Sequence, residues 1–465
     1  MGTLNQSVGP AISLPGKSRL YSRGREKSAP AIIEGKRTPR VSQLFISWVL
    51  LLPLVYLLTD GLTSFQASGS GGYGGAAQDQ QFFQNNSTPV AVRLITLLIW
   101  VICFYGILTY LPRVIKTAWE MKTITALALL SIVSVLWSQD PGLTFLKSIL
   151  LVSGLLFTYY LVERFTPDEQ MQLMLVLGAA ILVISVLISV ALPQYGVDIA
   201  GAWRGLFNHK NRLSRGALLL LPPALILPAR GFQRLTRALY ILLALACIGL
   251  SQSRTGWIVT AAYLGFFLSL RLFARFKKKD MVSILLVLVG CFGYILWIVI
   301  DNFAMLTRLM GKDPTMSGRT QIWSAILDSG LKQPLLGFGY GAFWRGQNGE
   351  SLNIFLQTGF ALWQGHNAFL DIWLDLGLVG LSLFLLTLVK ACRDGFYCLK
   401  PGRPRSVDWY LSTVFIIVAL GMTQGQLLLH NSLAILLYFI ACIGLHRTRK
   451  EMMSRQPDVT QVERA

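Results

Sequence analysis

The chain has 465 residues, of which 53% are hydrophobic and only 14% are charged. A soluble core of this size could not bury so much apolar surface, so the composition excludes an ordinary soluble domain and predicts an integral membrane protein. The formal net charge of +20 does not indicate a nucleic-acid partner, because Lys and Arg occur in short clusters between apolar runs, as membrane topology requires.

The chain begins with a basic tail, residues 1–41, which is rich in Ser, Gly and Pro and lacks an early apolar core. This composition predicts a disordered cytoplasmic tail and not a cleaved signal peptide. Apolar runs of roughly 17 to 24 residues follow, which is the length that the bilayer core requires. They predict about twelve transmembrane helices, at about 42–60, 89–111, 122–137, 143–163, 170–192, 213–229, 236–252, 255–274, 281–301, 367–390, 409–428 and 431–446.

Segments in lipid must satisfy their own backbone hydrogen bonds, so we predict an all-α, polytopic membrane fold. Spans one to nine occupy 42–301, spans ten to twelve occupy 367–446, and a second tail covers 447–465. Most of the 42 Lys and Arg residues fall on the inner side if the N-terminus is inside, so both termini should be cytoplasmic. The one long loop, 302–366, then faces outward between spans nine and ten, and it is the predicted catalytic loop.

Metal and disulfide chemistry have little support in the sequence. The 6 cysteines lie in apolar runs or in loops predicted to be cytoplasmic, and the 4 histidines show no paired metal-ligand spacing. We therefore expect no disulfide, no metal site and no cofactor.

Two arginines stand out because outward loops are otherwise poor in positive charge. Arg254 lies in a tight turn between two spans, where it faces water or an anion, or else snorkels as an interfacial anchor. Arg319 opens a stretch whose apolar spacing predicts an amphipathic helix. A guanidinium at a helix start can bind phosphate in a bidentate fork; the alternative is a solvated surface charge.

His366 lies just before span ten, at the predicted outer mouth of the bundle. A neutral histidine there can accept a hydroxyl proton, although a hydrogen-bonded structural role is the alternative. Asp371 and Asp375 follow at helical spacing, and acids at that depth should face a partner or a polar cavity.

Another outward loop, 193–211, carries a dense run of donors beside aromatic residues, including Arg204, His209 and Lys210. Together these segments resemble the bacterial O-antigen ligase and Wzy-type polysaccharide polymerase superfamily, closest to its exopolysaccharide-polymerising branch. The resemblance covers roughly residues 200 to 390 and is carried by FNHKN (207–211), SRTG (253–256), GR with a following Trp (318, 319 and 323), PLLGFGYG (334–341) and GHNAFLDIWLDLGLVGL (365–381).

The resemblance implies a metal-independent glycosyl transfer at the periplasmic face of the bacterial inner membrane. The donor would be a glycan joined to undecaprenyl pyrophosphate, and the acceptor would be a glycan hydroxyl. Arg254 and Arg319 would bind the pyrophosphate, and His366 would be the general base. Secondary substrate contacts would come from Arg204, Lys210 and Arg215. A flippase and a chain-length regulator would be partners.

Three functions are compatible with the sequence. The first is polymerisation of lipid-linked repeat units into an exopolysaccharide. The second is an O-antigen ligase that transfers a lipid-linked glycan to lipopolysaccharide core or another acceptor. The third is a twelve-span secondary transporter, which is disfavoured because the two halves of the chain do not match and the outward charges lie near the surface.

Overall fold

The structure is a computed structural model that describes residues 101, 104–273, 319–359, 362–425, 427–429 and 432–455. All of them belong to one compact unit, Ile46–Ala465. The spans predicted at 42–60 and 281–301 lie outside the described residues, as does most of 89–111.

The described residues form helices joined by turns, and no strand occurs among them apart from an isolated bridge between Val197 and Trp203. The first helices are α1 (Leu111–Glu120), α2 (Lys122–Val133), a 3-10 turn (Ser134–Trp137), α3 (Pro141–Arg164), α4 (Pro167–Ala191), α5 (Pro193–Gly196) and α6 (Lys210–Ile226). The later helices are α7 (Phe232–Leu250), α8 (Arg254–Phe273), α9 (Arg319–Gly330), α10 (Ser351–Thr358), α11 (Ala368–Cys398), α12 (Arg405–Gly421) and α13 (Leu433–Ser454).

Local sequence explains where several of these helices begin. Asp140 caps α3 by accepting a hydrogen bond from the backbone of Leu143, and proline follows at the first helical position. Thr166 and Glu169 form a reciprocal capping box at the start of α4. Asn367 caps α11 through its side-chain oxygen. Each cap satisfies backbone N–H groups that the helix leaves free.

Five described helices are long and apolar enough to cross a bilayer, namely α3, α4, α7, α8 and α11. A sixth span is present if α1 and the segment 122–137, which meet at 98°, are one bent span. Helices α6 and α12 have 17 residues each, which corresponds to about 26 Å of helix. The protein is therefore a helical, multi-pass membrane protein, as predicted, while the number of twelve spans remains a prediction.

Helix α13 is the centre of the bundle. Its residues from Leu433 to Leu445 are buried on every side, because α3, α11 and α12 pack around it. A helix that is apolar around its whole circumference needs such neighbours. The buried faces of α3, α4, α6 and α12 join it in one hydrophobic core.

Partly buried charge pairs join the helices at one end of the bundle. Arg447 of α13 is hydrogen-bonded to Glu163 of α3, and Arg449 donates to the buried Asp394 of α11 at 3.0 Å. The predicted orientation assigns this end to the cytoplasm. The opposite end holds the start of α3, where the backbone N–H of Gln139 donates to Phe338 of the long loop at 3.0 Å.

Candidate functional site

The described part of the long loop is an ordered subdomain with its own small core. Ile322 and Ile326 of α9 pack with Phe343, with Ile354 of α10 and with Leu374 of α11, and all five side chains are buried. The helix predicted from Arg319 onward is confirmed, since α9 spans Arg319–Gly330. This core fixes α9 against α11 and so holds Arg319 near the segment that precedes α11.

The peptide of Gly365 is fixed from two sides. Trp323 of α9 donates its indole N–H to the carbonyl of Gly365 at 2.9 Å. The N–H of Gly365 donates to Asp371 Oδ1 at 2.8 Å, and the indole of Trp344 donates to the same oxygen at 2.8 Å. The next residue, His366, is therefore positioned by both α9 and α11.

His366 has a positive φ of 53°, which is uncommon for a residue other than glycine. Its side chain is half-buried. Burial and the nearby positive charge of Arg319 lower the pKa of His366 to about 4. The imidazole is consequently neutral near pH 7, and a neutral imidazole can accept a proton. Burial also lowers the pKa of Arg319, which remains a cation at pH 7.

Gly365→Ala is expected to impair the site without unfolding the bundle. A Cβ at this position would lie 2.7 Å from Ile326 Cδ1 and 2.9 Å from Asp371 Oδ1, so these two side chains or the peptide before His366 would have to move. Displacement of a catalytic group by about 1 Å can cost roughly 100-fold in rate. Polymer yield in a complemented deletion strain measures the effect. Wild-type yield at equal membrane level would contradict it.

The loop from Pro334 pairs with a break in α11. Gly377 adopts φ 65° and ψ −169°, a conformation open mainly to glycine, and interrupts the helical hydrogen bonds there. The N–H groups of Phe338 and Gly339 donate to the carbonyls of Leu374 and Asp375 at 2.8 and 3.0 Å. Gly337 and Gly339 have positive φ values of 67° and 97°, which lets the backbone of this loop approach α11 closely.

A cavity of about 130 Å³ lies beside this break. Its polar and aromatic walls come from Lys147, Tyr340, Trp344, Trp363, Asp371 and Asp375. The expectation that the two acids face a partner or a polar cavity is confirmed, since both line it. Lys147 was not singled out from the sequence, and its only signal was a charge inside an apolar run.

Arg204 and Lys210 contact other residues of their own loop, 193–211. Arg204 donates through Nε to the carbonyl of Tyr195 at 2.8 Å, and Lys210 lies 3.4 Å from the carboxylate of Asp198. Asp198 also accepts the N–H of Ala202 at 2.8 Å. Both basic side chains thus hold the loop together. Their predicted contact with substrate remains a prediction.

Arg254 begins α8 with an exposed side chain. The turn before it packs on the 193–211 loop, because Trp203 donates its N–H to the carbonyl of Leu250 at 2.9 Å. Arg215 lies in the second turn of α6 and is half-buried. The positive charge of Arg319 acts on His366, which places these two predicted site residues near each other. That Arg254 joins His366 and Arg319 in one site remains a prediction.

Within the described ranges, no group of three or more His, Cys, Asp or Glu side chains is arranged to hold a metal ion. The described side chains of the His366 region include a neutral imidazole, a guanidinium, buried carboxylates and aromatic rings. These groups suit proton transfer and anion binding.

The fold is that of a multi-pass helical membrane protein, and comparison with known families shows what the chain is similar to. Residues 239–385 match the family model described as O-antigen ligase. This segment contains Arg254, Arg319 and His366. The predicted resemblance to the O-antigen ligase and Wzy-type polymerase superfamily is thereby confirmed.

Among individual proteins, the chain is similar to the exopolysaccharide production protein ExoQ of Rhizobium meliloti (strain 1021), with 26% identity over 281 residues. The match covers 58% of this chain and 63% of the relative. This similarity supports the predicted resemblance to the exopolysaccharide-polymerising branch of the superfamily. Among solved structures, the chain is similar to one chain of a peptidoglycan synthase complex described as coordinating polymerization and crosslinking. The two share 19% sequence identity with a TM-score of 0.37, and the match covers 70% of the present chain and 96% of the chain in the complex.

Proposed function

We propose that the protein polymerises undecaprenyl-pyrophosphate-linked oligosaccharide repeat units into an exopolysaccharide at the periplasmic face of the bacterial inner membrane. The observation that carries this proposal is the position of His366, which follows a peptide fixed from two sides and lies near the cationic Arg319. The similarity to ExoQ and the O-antigen ligase match support the type of substrate.

In the proposed reaction a hydroxyl oxygen of the acceptor glycan attacks the anomeric carbon of the donor. The bond between that carbon and the pyrophosphate oxygen breaks, and both electrons leave with the pyrophosphate. His366 accepts the hydroxyl proton, while Arg319 and Arg254 stabilise the charge on the leaving group. Two guanidiniums in a partly dry site would supply this stabilisation without a metal ion.

Binding of the donor would also change the pKa of His366, the proposed general base. Arg319 contributes to the low pKa of His366, so a pyrophosphate on Arg319 would offset that positive charge and raise the pKa of His366 toward the working pH. A base functions best when its pKa is near the operating pH. Proton transfer would thus become favourable only when the donor is in place.

The pH dependence of the free enzyme follows from the same pKa. A base must be neutral to act, and His366 becomes protonated only as the pH falls toward about 4. We expect kcat/KM, measured with detergent-solubilised protein in brief assays, to show no loss from His366 protonation between about pH 5 and 7. A tenfold loss per pH unit that begins near 6.5 would contradict this assignment.

Polymerase and ligase functions leave different products in cells. In a deletion strain, loss of long chains with single repeat units retained on the carrier lipid supports the polymerase. Long chains that accumulate on the carrier lipid instead support the ligase. Uptake of substrate into sealed vesicles that survives loss of Arg319 and His366 would support the transporter. As a polymerase the protein would work beside a flippase and a chain-length regulator.

A further inference from the structure

The cavity beside the α11 break has no role in the reaction described above. Its volume of about 130 Å³ is far more than the roughly 15 Å³ that one water molecule needs. It is bounded by Lys147 of α3, Trp344 and Trp363 of the long loop, and Asp371 and Asp375 of α11. Three separate parts of the chain therefore converge on one polar space.

One carboxylate oxygen in this cavity lacks a donor. Asp375 Oδ1 is shielded from solvent and accepts no hydrogen bond from any residue that the structure describes. The backbone N–H groups of Gly341 and Phe343 lie near the same carboxylate. A buried acceptor without a donor costs about 1–3 kcal/mol. A ligand hydroxyl that donates to Oδ1 would remove this cost.

Lys147 supplies donors to the same space. Its ammonium donates to the carbonyl of Gly341 at 2.5 Å, and the ammonium carries three N–H donors in total. The other two meet no acceptor in the part of the chain that the structure describes, so they are available to a ligand. A group that both donates to Asp375 and accepts from Lys147 fits this pair, and a sugar hydroxyl does both.

The charged and aromatic residues of the cavity limit further which class of ligand can bind. Two carboxylates disfavour an anion such as a phosphate, and Lys147 disfavours a simple cation. The indoles of Trp344 and Trp363 offer flat apolar faces suited to the C–H face of a sugar ring. A neutral ring that bears hydroxyls satisfies all of these conditions.

The cavity is linked directly to the candidate base. Asp371 lines the cavity and accepts the N–H of Gly365, the residue that immediately precedes His366. We propose that this cavity is the subsite for the acceptor sugar, which places the attacking hydroxyl near His366. The inference rests on the proposed function, because only a glycosyl transfer needs an acceptor there.

Binding of a lipid-free glycan to purified full-length protein tests the subsite. The probe is the repeat-unit oligosaccharide released from the organism's own polysaccharide by mild acid, observed by saturation-transfer NMR in detergent micelles. We expect saturable binding to wild type, and binding weaker by about tenfold or more in Asp375→Asn and in Lys147→Met. Two variants are used in case one of them folds poorly.

Matched variants separate this inference from the proposed function. Trp119→Phe, at an indole that is 70% exposed and outside the cavity, should bind as wild type does. His366→Asn should retain glycan binding and lose polymer. Wild-type affinity in both Asp375→Asn and Lys147→Met, or no binding by wild type, would overturn the subsite even while the His366 variant lacks polymer. Normal polymer from His366→Asn would instead overturn the proposed function.

Discussion

His366→Asn is expected to abolish chain growth and leave single repeat units on the carrier lipid. Loss of a general base costs about 10²- to 10⁴-fold in rate. Asparagine is the suitable replacement because the residue has φ 53°, and asparagine tolerates this left-handed conformation better than alanine does. The size distribution of the polysaccharide from a complemented deletion strain is the measurement.

A second substitution separates the chemistry of His366 from its place in the loop. His366→Gly keeps the positive φ, and it removes the imidazole and leaves space for a small base. Added imidazole should restore part of the activity of this variant and none of that of His366→Asn. His446→Asn is the control, because His446 binds Asp394 at the other end of the bundle. Wild-type chain lengths from His366→Asn would contradict the assignment.

Arg319→Ala is expected to lower the rate by about 10²- to 10³-fold, which is the usual cost of removing one donor to a developing negative charge. Arg319→Lys should fall between this variant and wild type, because an ammonium keeps the charge but lacks the bidentate fork. Turnover of lipid-linked donor in membranes, at equal protein level, gives the comparison.

The control for Arg319 is another cation of the same loop. Lys332 follows α9, is half exposed, and pairs with Glu350 at 2.9 Å. An exposed ion pair contributes little to stability, so Lys332→Ala should retain nearly all activity. If Arg319→Ala and Lys332→Ala are equally active, the positive charge of Arg319 has no special role in the reaction.

The boundaries and spacing of apolar residues were sufficient to predict where several helices and loop ends lie. His366 was placed at the end of a loop because an apolar run starts just after it, and α11 does begin at Ala368. The spacing of Ile322, Trp323 and Ile326 predicted a helix that includes Arg319, and α9 (Arg319–Gly330) is that helix. Local patterns of this kind depend on helix periodicity alone, so a single sequence reveals them.

The cavity could not be predicted, because it depends on contacts between distant parts of the chain. In the sequence, Lys147 is only a charged residue within an apolar run. Its hydrogen bond to the carbonyl of Gly341 forms because the start of α3 packs on the long loop. In the sequence, Gly377 is simply a glycine within a predicted span. The structure shows that it interrupts α11 and that the loop after Pro334 forms hydrogen bonds with the backbone groups freed there.

The 193–211 loop shows a different limit. Arg204 and Lys210 look like ligands for an anion because they are cations on the predicted outer side. The structure shows that each of them also binds its own loop, through the Tyr195 carbonyl and the Asp198 carboxylate. Sequence spacing does not distinguish a cation that binds substrate from one that closes a loop.

The most direct test of the central claim uses purified protein in nanodiscs with a defined undecaprenyl-pyrophosphate-linked repeat unit and no other protein. Products are separated by size, and released undecaprenyl pyrophosphate is measured. Wild type should form longer glycans and release carrier lipid, while His366→Asn and Arg319→Ala should do neither at a comparable rate. If both variants form longer glycans as fast as wild type does, the His366 and Arg319 pair is not the catalytic site.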